Sequence, residues 1–293
     1  MYGRLILIAL ANLLICAAVF AQSISHVTVR TSSKNNRNAS VWYRVPEHYR
    51  EISGRKWRVL VIFGGRNCGG SNEVSNALGW AKWADRNGMF LVAPGFRDDR
   101  YWEPQVWSGR ALLSALDQIG KRYEIDSKHL LYYGYSAGSQ ASNLFAAWRP
   151  DLCRAWVSHA CGVFHEPSVR MRKTPGLVTC GDADAARDIL SREFVAKARR
   201  IGQQVMWKSC PNHPHDVPPD SLALARTFLE HYDALNRDAL DLASAWLVAF
   251  SGKTPSVKAW GEDDTQRVLP VSRIDREFRN PLYSSDIERL WKR

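Results

Sequence analysis

One pentapeptide in this 293-residue chain has the form of an activated nucleophile: Gly134-Tyr135-Ser136-Ala137-Gly138 is a G-x-S-x-G run. The pattern alone is common, and its setting gives it weight. The apolar stretch Leu130-Leu131-Tyr132-Tyr133 runs straight into it, and Ser139-Gln140-Ala141-Ser142-Asn143-Leu144-Phe145 leaves it with helical composition. A strand, a tight turn and a helix in that order put the serine on a strained bend with its Oγ above the sheet. The glycines let strand and helix approach closely, and a helix N-terminus favours developing negative charge. The competing reading is a glycine-rich turn with a buried serine. Other chemistries lack their residues. His213 and His215 lie beside Asp216, but no second cluster has zinc-like spacing, and Cys-x-x-Cys is absent. The glycine-rich stretch 63–70 is not followed by Gly-Lys-Ser/Thr, and no dinucleotide fingerprint occurs. The expectation is no cofactor and no metal.

A nucleophile of this kind needs a sheet to stand on. Eight strand-like runs are predicted: His26–Arg30, Ser40–Val45, Arg58–Phe63, Met89–Ala93, Leu130–Tyr135, Ala155–His159, Leu177–Cys180 and Val205–Lys208. From Arg58 onward they are near-continuous apolar runs, the pattern of strands buried on both faces. Helical stretches separate them at Ser75–Arg86, Ser108–Arg122, Ala137–Trp148 and Ala185–Ile201, and Leu222–His231 follows the last. Two hairpin-like strands and then repeated βα units imply a mostly parallel eight-stranded sheet flanked by helices, an α/β fold. After Asn236 the character changes. Ala239–Phe250 reads as one more helix and Ser251–Arg293 as irregular. The organisation expected is 1–21 a signal peptide, 22–236 the α/β domain and 237–293 a C-terminal extension.

Lys+Arg is 40 against 29 Asp+Glu, a net charge of +11. No nucleic-acid motif accompanies the charge, so a solvated basic face is the simpler reading. Arg4, the apolar run Leu5–Phe20 and the small residues ending at Ala21 read as an export signal cut near Ala21. The run is too short for a spanning helix, so the mature chain is expected to be secreted or periplasmic, with no membrane span. It would keep five cysteines, Cys68, Cys153, Cys161, Cys180 and Cys210, an odd number that leaves at least one unpaired within the chain.

The strand, G-x-S-x-G and helix, with the alternating pattern around them, resemble the α/β-hydrolase superfamily. More narrowly, Ser25–Tyr232 is similar to secreted esterases of the polyhydroxybutyrate depolymerase and feruloyl esterase type. The resemblance implies the chain order nucleophile, acid, histidine. On that order Ser136 is the nucleophile and His215 best matches the histidine, with His213 as rival. Gly181 and Asp184 fit the Gly-x-x-Asp of such enzymes, with Asp182 and Asp188 as rivals and N-capping as the other use of Asp184. The oxyanion hole would combine the backbone N–H groups of Ala137 and Gly65, with Arg66 as alternative; where relatives often have His-Gly, this chain has Phe63-Gly64. The same topology places Cys180 and Cys210 at the ends of neighbouring strands, which implies a disulfide between the acid and histidine loops. The short segment Ala160–Pro175 leaves no room for a large lid. Arg66, Tyr101 and Trp102 are candidate substrate-binding residues, with Trp107 beside them.

The function implied is a secreted serine hydrolase that cleaves carboxylic esters, small or polymeric, through an acyl-enzyme. A peptidase of the same fold and a catalytically inactive carbohydrate-binding surface protein are the alternatives.

Overall fold

The structure is a computed structural model describing residues 24–31, 38–52, 54–75, 77–97, 100–234, 246–251, 265–269, 280–282 and 284–292. The export signal expected at 1–21 lies outside the described residues. Among those described, no helix is long and apolar enough to cross a membrane.

The chain begins with β1 (Ile24–Arg30) and β2 (Asn38–Arg44), an antiparallel pair. Then come β3 (Arg58–Phe63), a short helix α1 (Ser71–Ser75), α2 (Trp80–Asn87) and β4 (Met89–Pro94). The region read as one helix over Ser75–Arg86 is therefore broken. Leu78 and Gly79 both have positive φ, which no continuous helix accommodates. Further on lie α3 (Gly109–Gly120), β5 (Leu130–Tyr135), α4 (Ala137–Trp148), β6 (Cys153–His159) and β7 (Gly176–Gly181). Helix α5 (Ala185–Arg200), β8 (Val205–Cys210) and α6 (Pro219–Ala234) complete the main unit. The sheet has eight strands in the order β1-β2-β4-β3-β5-β6-β7-β8. Pairing is antiparallel from β1 through β4 and parallel from β4 to β8.

Strands β4 and β7 are buried along their whole length, as short runs of mostly apolar and small residues covered on both faces should be. The tryptophan surplus goes into the core: Trp80, Trp83, Trp156, Trp207 and Trp291 are all fully buried. Parallel βα units carry every strand from β3 onward in one direction. Their C-terminal ends, and the loops that follow, therefore gather along one edge of the sheet.

Two expectations need correction. Trp246–Phe250, read as the end of the helix Ala239–Phe250, belongs to a strand, β9 (Trp246–Ser251). It pairs antiparallel with β10 (Thr265–Leu269) and β11 (Asn280–Leu282) in a second, three-stranded sheet. Five apolar residues in a row are too short for periodicity to separate strand from helix. The chain ends in α7 (Ser285–Trp291). The second correction concerns Cys180 and Cys210, both of which are free and buried. Cys180 registers with Ser209, and Gly181 with Cys210. That one-residue offset on neighbouring strands sends the two thiols to opposite faces of the sheet. Cys68 and Cys161 are free as well.

Candidate active site

The nucleophile bend sits where β5 meets α4. Ser136 has φ 56° and ψ −122°, a strained backbone for a residue with a Cβ. Its N–H donates to the His159 carbonyl at 3.0 Å, which fastens the bend to the end of β6. The flanking glycines are demanded by space. A Cβ on Gly134 would lie 2.0 Å from the Gly138 carbonyl oxygen, and one on Gly138 would lie 1.9 Å from the Phe63 carbonyl oxygen. The second contact also presses the start of α4 onto the turn after β3, where Gly65 lies.

Three side chains from three separate loops meet above this bend. His215 Nε2 is 2.9 Å from Ser136 Oγ, and His215 Nδ1 is 2.6 Å from Asp184 Oδ2. An ionised carboxylate can only accept, so the Asp184 contact places the proton on Nδ1. Nε2 is then bare and accepts from the Ser136 hydroxyl. The Asp184 side chain is only 8% exposed and makes no cap bond to α5. Its second oxygen, Oδ1, accepts from Arg187 Nη1 at 3.0 Å. Arg187 was not foreseen, although its i,i+3 spacing from Asp184 on a helix start is a readable signal.

The rivals are engaged elsewhere. His213 Nδ1 faces Asp216 Oδ2 at 3.2 Å. Asp182 Oδ1 accepts from the Asn212 N–H at 2.7 Å, and Asp188 is buried against Arg192 at 2.7 Å. Asp182 belongs to a set of bonds that tie the acid loop to the histidine loop. The Asp182 N–H donates to the Cys210 carbonyl and the Ala183 N–H to the His213 carbonyl, each at 3.1 Å. Main-chain bonds thus make the connection expected of a disulfide.

Two further residues hold the histidine loop. Tyr135 Oη donates to the His215 carbonyl at 2.8 Å, and its ring lies 5.2 Å from the imidazole. His159 is 1% exposed beneath the loop, and its Nε2–H donates to the Asp216 carbonyl at 2.6 Å. Its Nδ1 faces the hydroxyls of Thr179 and Ser221. Burial pushes the His159 pKa down to about 4, so the ring stays neutral and keeps this tautomer. Position at the C-terminal end of a central strand was the available sequence signal; chain order set His159 aside.

The expected oxyanion donors, Gly65 and Ala137, lie on the two segments that Gly138 presses together. A pocket of about 360 Å³ opens beside them, lined by Ile62, Phe63, Gly65, Leu78, Tyr135 and Val217 among others. The candidate substrate-binding residues lie outside this lining. Tyr101 is 7% exposed and Trp107 2%, Trp102 packs edge-on against Tyr101 at 5.1 Å, and Arg66 is exposed. None of the four lines this pocket. Among the described residues, no group of three His, Cys, Asp or Glu side chains is gathered as a metal site requires.

No family model matches the chain, and no curated protein matches it in sequence. Its fold, however, is shared with many solved structures. A thermostable esterase superposes with a TM-score of 0.53 at 18% identity, over 75% of this chain and 62% of that one, so the chain spans less than two-thirds of its length. A CE1 ferulic acid esterase from the anaerobic fungus Anaeromyces mucronatus gives 0.57 at 15% identity, over 74% and 94%. A fluorophosphonate-binding serine hydrolase of Staphylococcus aureus gives 0.54 at 10% identity, over 71% and 98%. At these identities the likeness establishes architecture: the chain has the α/β-hydrolase fold.

Proposed function

We propose that the protein is a serine hydrolase that cleaves carboxylic esters through an acyl-enzyme. Ser136 Oγ attacks the ester carbonyl and its proton passes to His215 Nε2. Asp184 holds the imidazole by Nδ1 and stabilises the imidazolium. The carbonyl oxygen, now negative, accepts from the N–H groups of Gly65 and Ala137. Collapse of the tetrahedral intermediate expels the alcohol, which takes the proton from His215. Water then attacks the acyl carbon and gives a proton to His215. The acid departs, and that proton returns to Ser136 Oγ.

One observation carries the reading: the unbroken hydrogen-bond chain from Ser136 to His215 to Asp184, at 2.9 and 2.6 Å, on a strained bend at the C-terminal edge of a parallel sheet. Solved esterases and serine hydrolases of the same architecture support it. The 1–21 segment supports export, with action outside the cytoplasm. The test is Ser136→Ala with p-nitrophenyl acetate and butyrate. Turnover should fall by about 10⁵-fold or more, and a fluorophosphonate probe should label Ser136 in the parent protein and nothing in the variant. Undiminished turnover by Ser136→Ala defeats the proposal.

A further inference from the structure

The lining of the pocket beside the bend is tied to the reacting groups. Gly65, an expected oxyanion donor, lines it; so does Tyr135, which immediately precedes Ser136, and so does Val217, which follows His215 and Asp216 on the histidine loop. The Tyr135 ring joins these parts. A Cβ on Gly65 would lie 3.8 Å from Tyr135 Cδ1, so the ring faces that side of Gly65. The same ring lies 5.2 Å from the His215 imidazole, and its Oη donates to the His215 carbonyl at 2.8 Å. A group that fills the pocket therefore meets the side chain that lies between the oxyanion loop and His215.

What the pocket offers such a group is carbon. Its deepest polar atoms are withdrawn: Glu73 Oε2, Trp80 Nε1 and Tyr133 Oη are all closed to solvent. The exposed and part-exposed side chains of the lining are those of Cys68, Ala77, Leu78, Tyr135 and Val217. Their two polar groups are already engaged, the Tyr135 hydroxyl with the His215 carbonyl and the Cys68 thiol with the Glu73 carboxylate. A charged group would give up its water there without a partner to replace it, whereas a hydrocarbon has no such loss.

Leu78 gives an independent observation. It is 41% exposed and holds φ 52° and ψ 21°. A leucine in the left-handed region is strained, and while exposed it gains nothing from burial to offset the strain. Arg226 holds the conformation by donating to the Leu78 carbonyl. An apolar group in the pocket covers this side chain.

Resting on the ester-hydrolase reading, we infer that the pocket takes a neutral hydrocarbon group from one half of the ester, and that Tyr135 is a positioning residue that converts its binding into turnover. An engineered apolar cavity of about 150 Å³ holds one benzene. At about 360 Å³ the pocket has room for about two such groups, or a chain of roughly eight carbons once its open mouth is allowed for. The ring that receives the chain also holds the His215 loop, so a filled pocket restrains Tyr135 and, through it, the imidazole. Binding energy used in that way raises kcat as well as lowering KM.

The test uses p-nitrophenyl acetate, butyrate, hexanoate and octanoate, which lengthen the acyl half, and the acetates of ethanol, butanol, hexanol and octanol, which lengthen the alcohol half. In one of the two series kcat/KM should rise by about two- to fourfold per methylene, with kcat sharing in the rise. Replacing the terminal methyl by a carboxylate, as in mono-p-nitrophenyl suberate or 8-acetoxyoctanoate, should lower kcat/KM at least about tenfold. Leu78→Asn suits the left-handed backbone and removes the hydrocarbon, so it should fold and reduce the ratio of longest to shortest ester about threefold or more. Tyr135→Phe keeps the ring and loses the bond to the His215 carbonyl. It should retain the chain-length dependence of KM and lose that of kcat. Flat kcat/KM in both series of the parent protein overturns the inference with no variant needed. So does a rise confined to KM, a carboxylate-ended ester turned over as well as its methyl counterpart, or a chain-length ratio that Leu78→Asn leaves unchanged. Fluorophosphonate labelling of Ser136 separates the two levels. Labelled enzyme with no chain-length preference sinks this inference alone, while unlabelled, inactive protein sinks the ester-hydrolase reading and this inference with it.

Discussion

His159 makes the fold acid-sensitive in a way that a single substitution isolates. Its pKa falls from the usual 6.5 to about 4 because burial disfavours the charged ring, outweighing the carbonyl of Asp216 and nearby carboxylates, which pull the other way. Between those two values the unfolded chain binds a proton that the folded chain does not. Stability from this residue is therefore complete above about pH 6.5 and is lost as pH falls toward 4. A gap of about 2.5 pH units at 1.36 kcal/mol each comes to about 3 kcal/mol, and with the ring 1% exposed no solvent screening reduces it. His159→Gln has no titration to contribute. At pH 7 it should cost about 1–3 kcal/mol through groups left unpaired among the Asp216 carbonyl and the Thr179 and Ser221 hydroxyls. The assay is urea unfolding of both proteins from pH 7.5 to pH 4. The parent's advantage should fall by about 3 kcal/mol over that range, vanishing or reversing sign by pH 4, because other acid-labile groups titrate in both proteins and cancel. Curves that stay parallel down to pH 4 would refute the assignment of His159 as a neutral, buried support of the His215 loop.

Three other expectations follow from the same geometry. Gly138→Ala should abolish esterase activity and cost at least about 3 kcal/mol of stability, because its Cβ meets the Phe63 carbonyl oxygen at 1.9 Å and neither backbone can yield; activity assay and thermal unfolding check it. Arg187→Ala should lower kcat about tenfold with KM little changed, since the Asp184 carboxylate loses the guanidinium that fixes its plane, and Arg187→Lys should recover part of that loss. Asn280→Leu should cost about 2–4 kcal/mol, measured by urea unfolding, because the Arg199 guanidinium and the Trp207 N–H both donate to its Oδ1 in a fully buried setting.

Legibility in the sequence followed the range of the interaction. The strands from β3 to β8 are short apolar runs between turn signals, so local pattern places them to within a residue or two. The bend at Ser136 is a local motif and reads directly. Asp184 and His215 read only through the chain order that a resemblance supplies, because their meeting depends on how far β7 and β8 carry their loops. Residues that support the site were illegible for the same reason. Nothing near His159 in the chain says that it faces Asp216, 57 residues later. Cys180 and Cys210 show the opposite failure. Their loops do adjoin, but pairing depends on which face each thiol takes, and a register offset of one residue reverses that face.

The C-terminal extension illustrates a constraint that composition cannot reveal. Strand β8 ends the eight-stranded sheet, so every second peptide group along it points away from β7 with no partner strand. An open edge of this kind invites pairing with another chain. Here three of the outward groups are met by side chains. Arg199 Nε donates to the Val205 carbonyl at 2.8 Å, the Trp207 N–H donates to Asn280 Oδ1 at 2.7 Å, and Trp291 Nε1 donates to the Trp207 carbonyl at 2.6 Å. Lys208 Nζ, on the same strand, reaches the Trp291 carbonyl at 2.9 Å. Side chains from α5, β11 and α7 thus take the place of a ninth strand. Such a cover needs no apolar periodicity of its own, only a few donors and acceptors at the right heights. That is why 251–293 reads as irregular in the sequence while part of it closes the sheet beside the strand that carries the His215 loop.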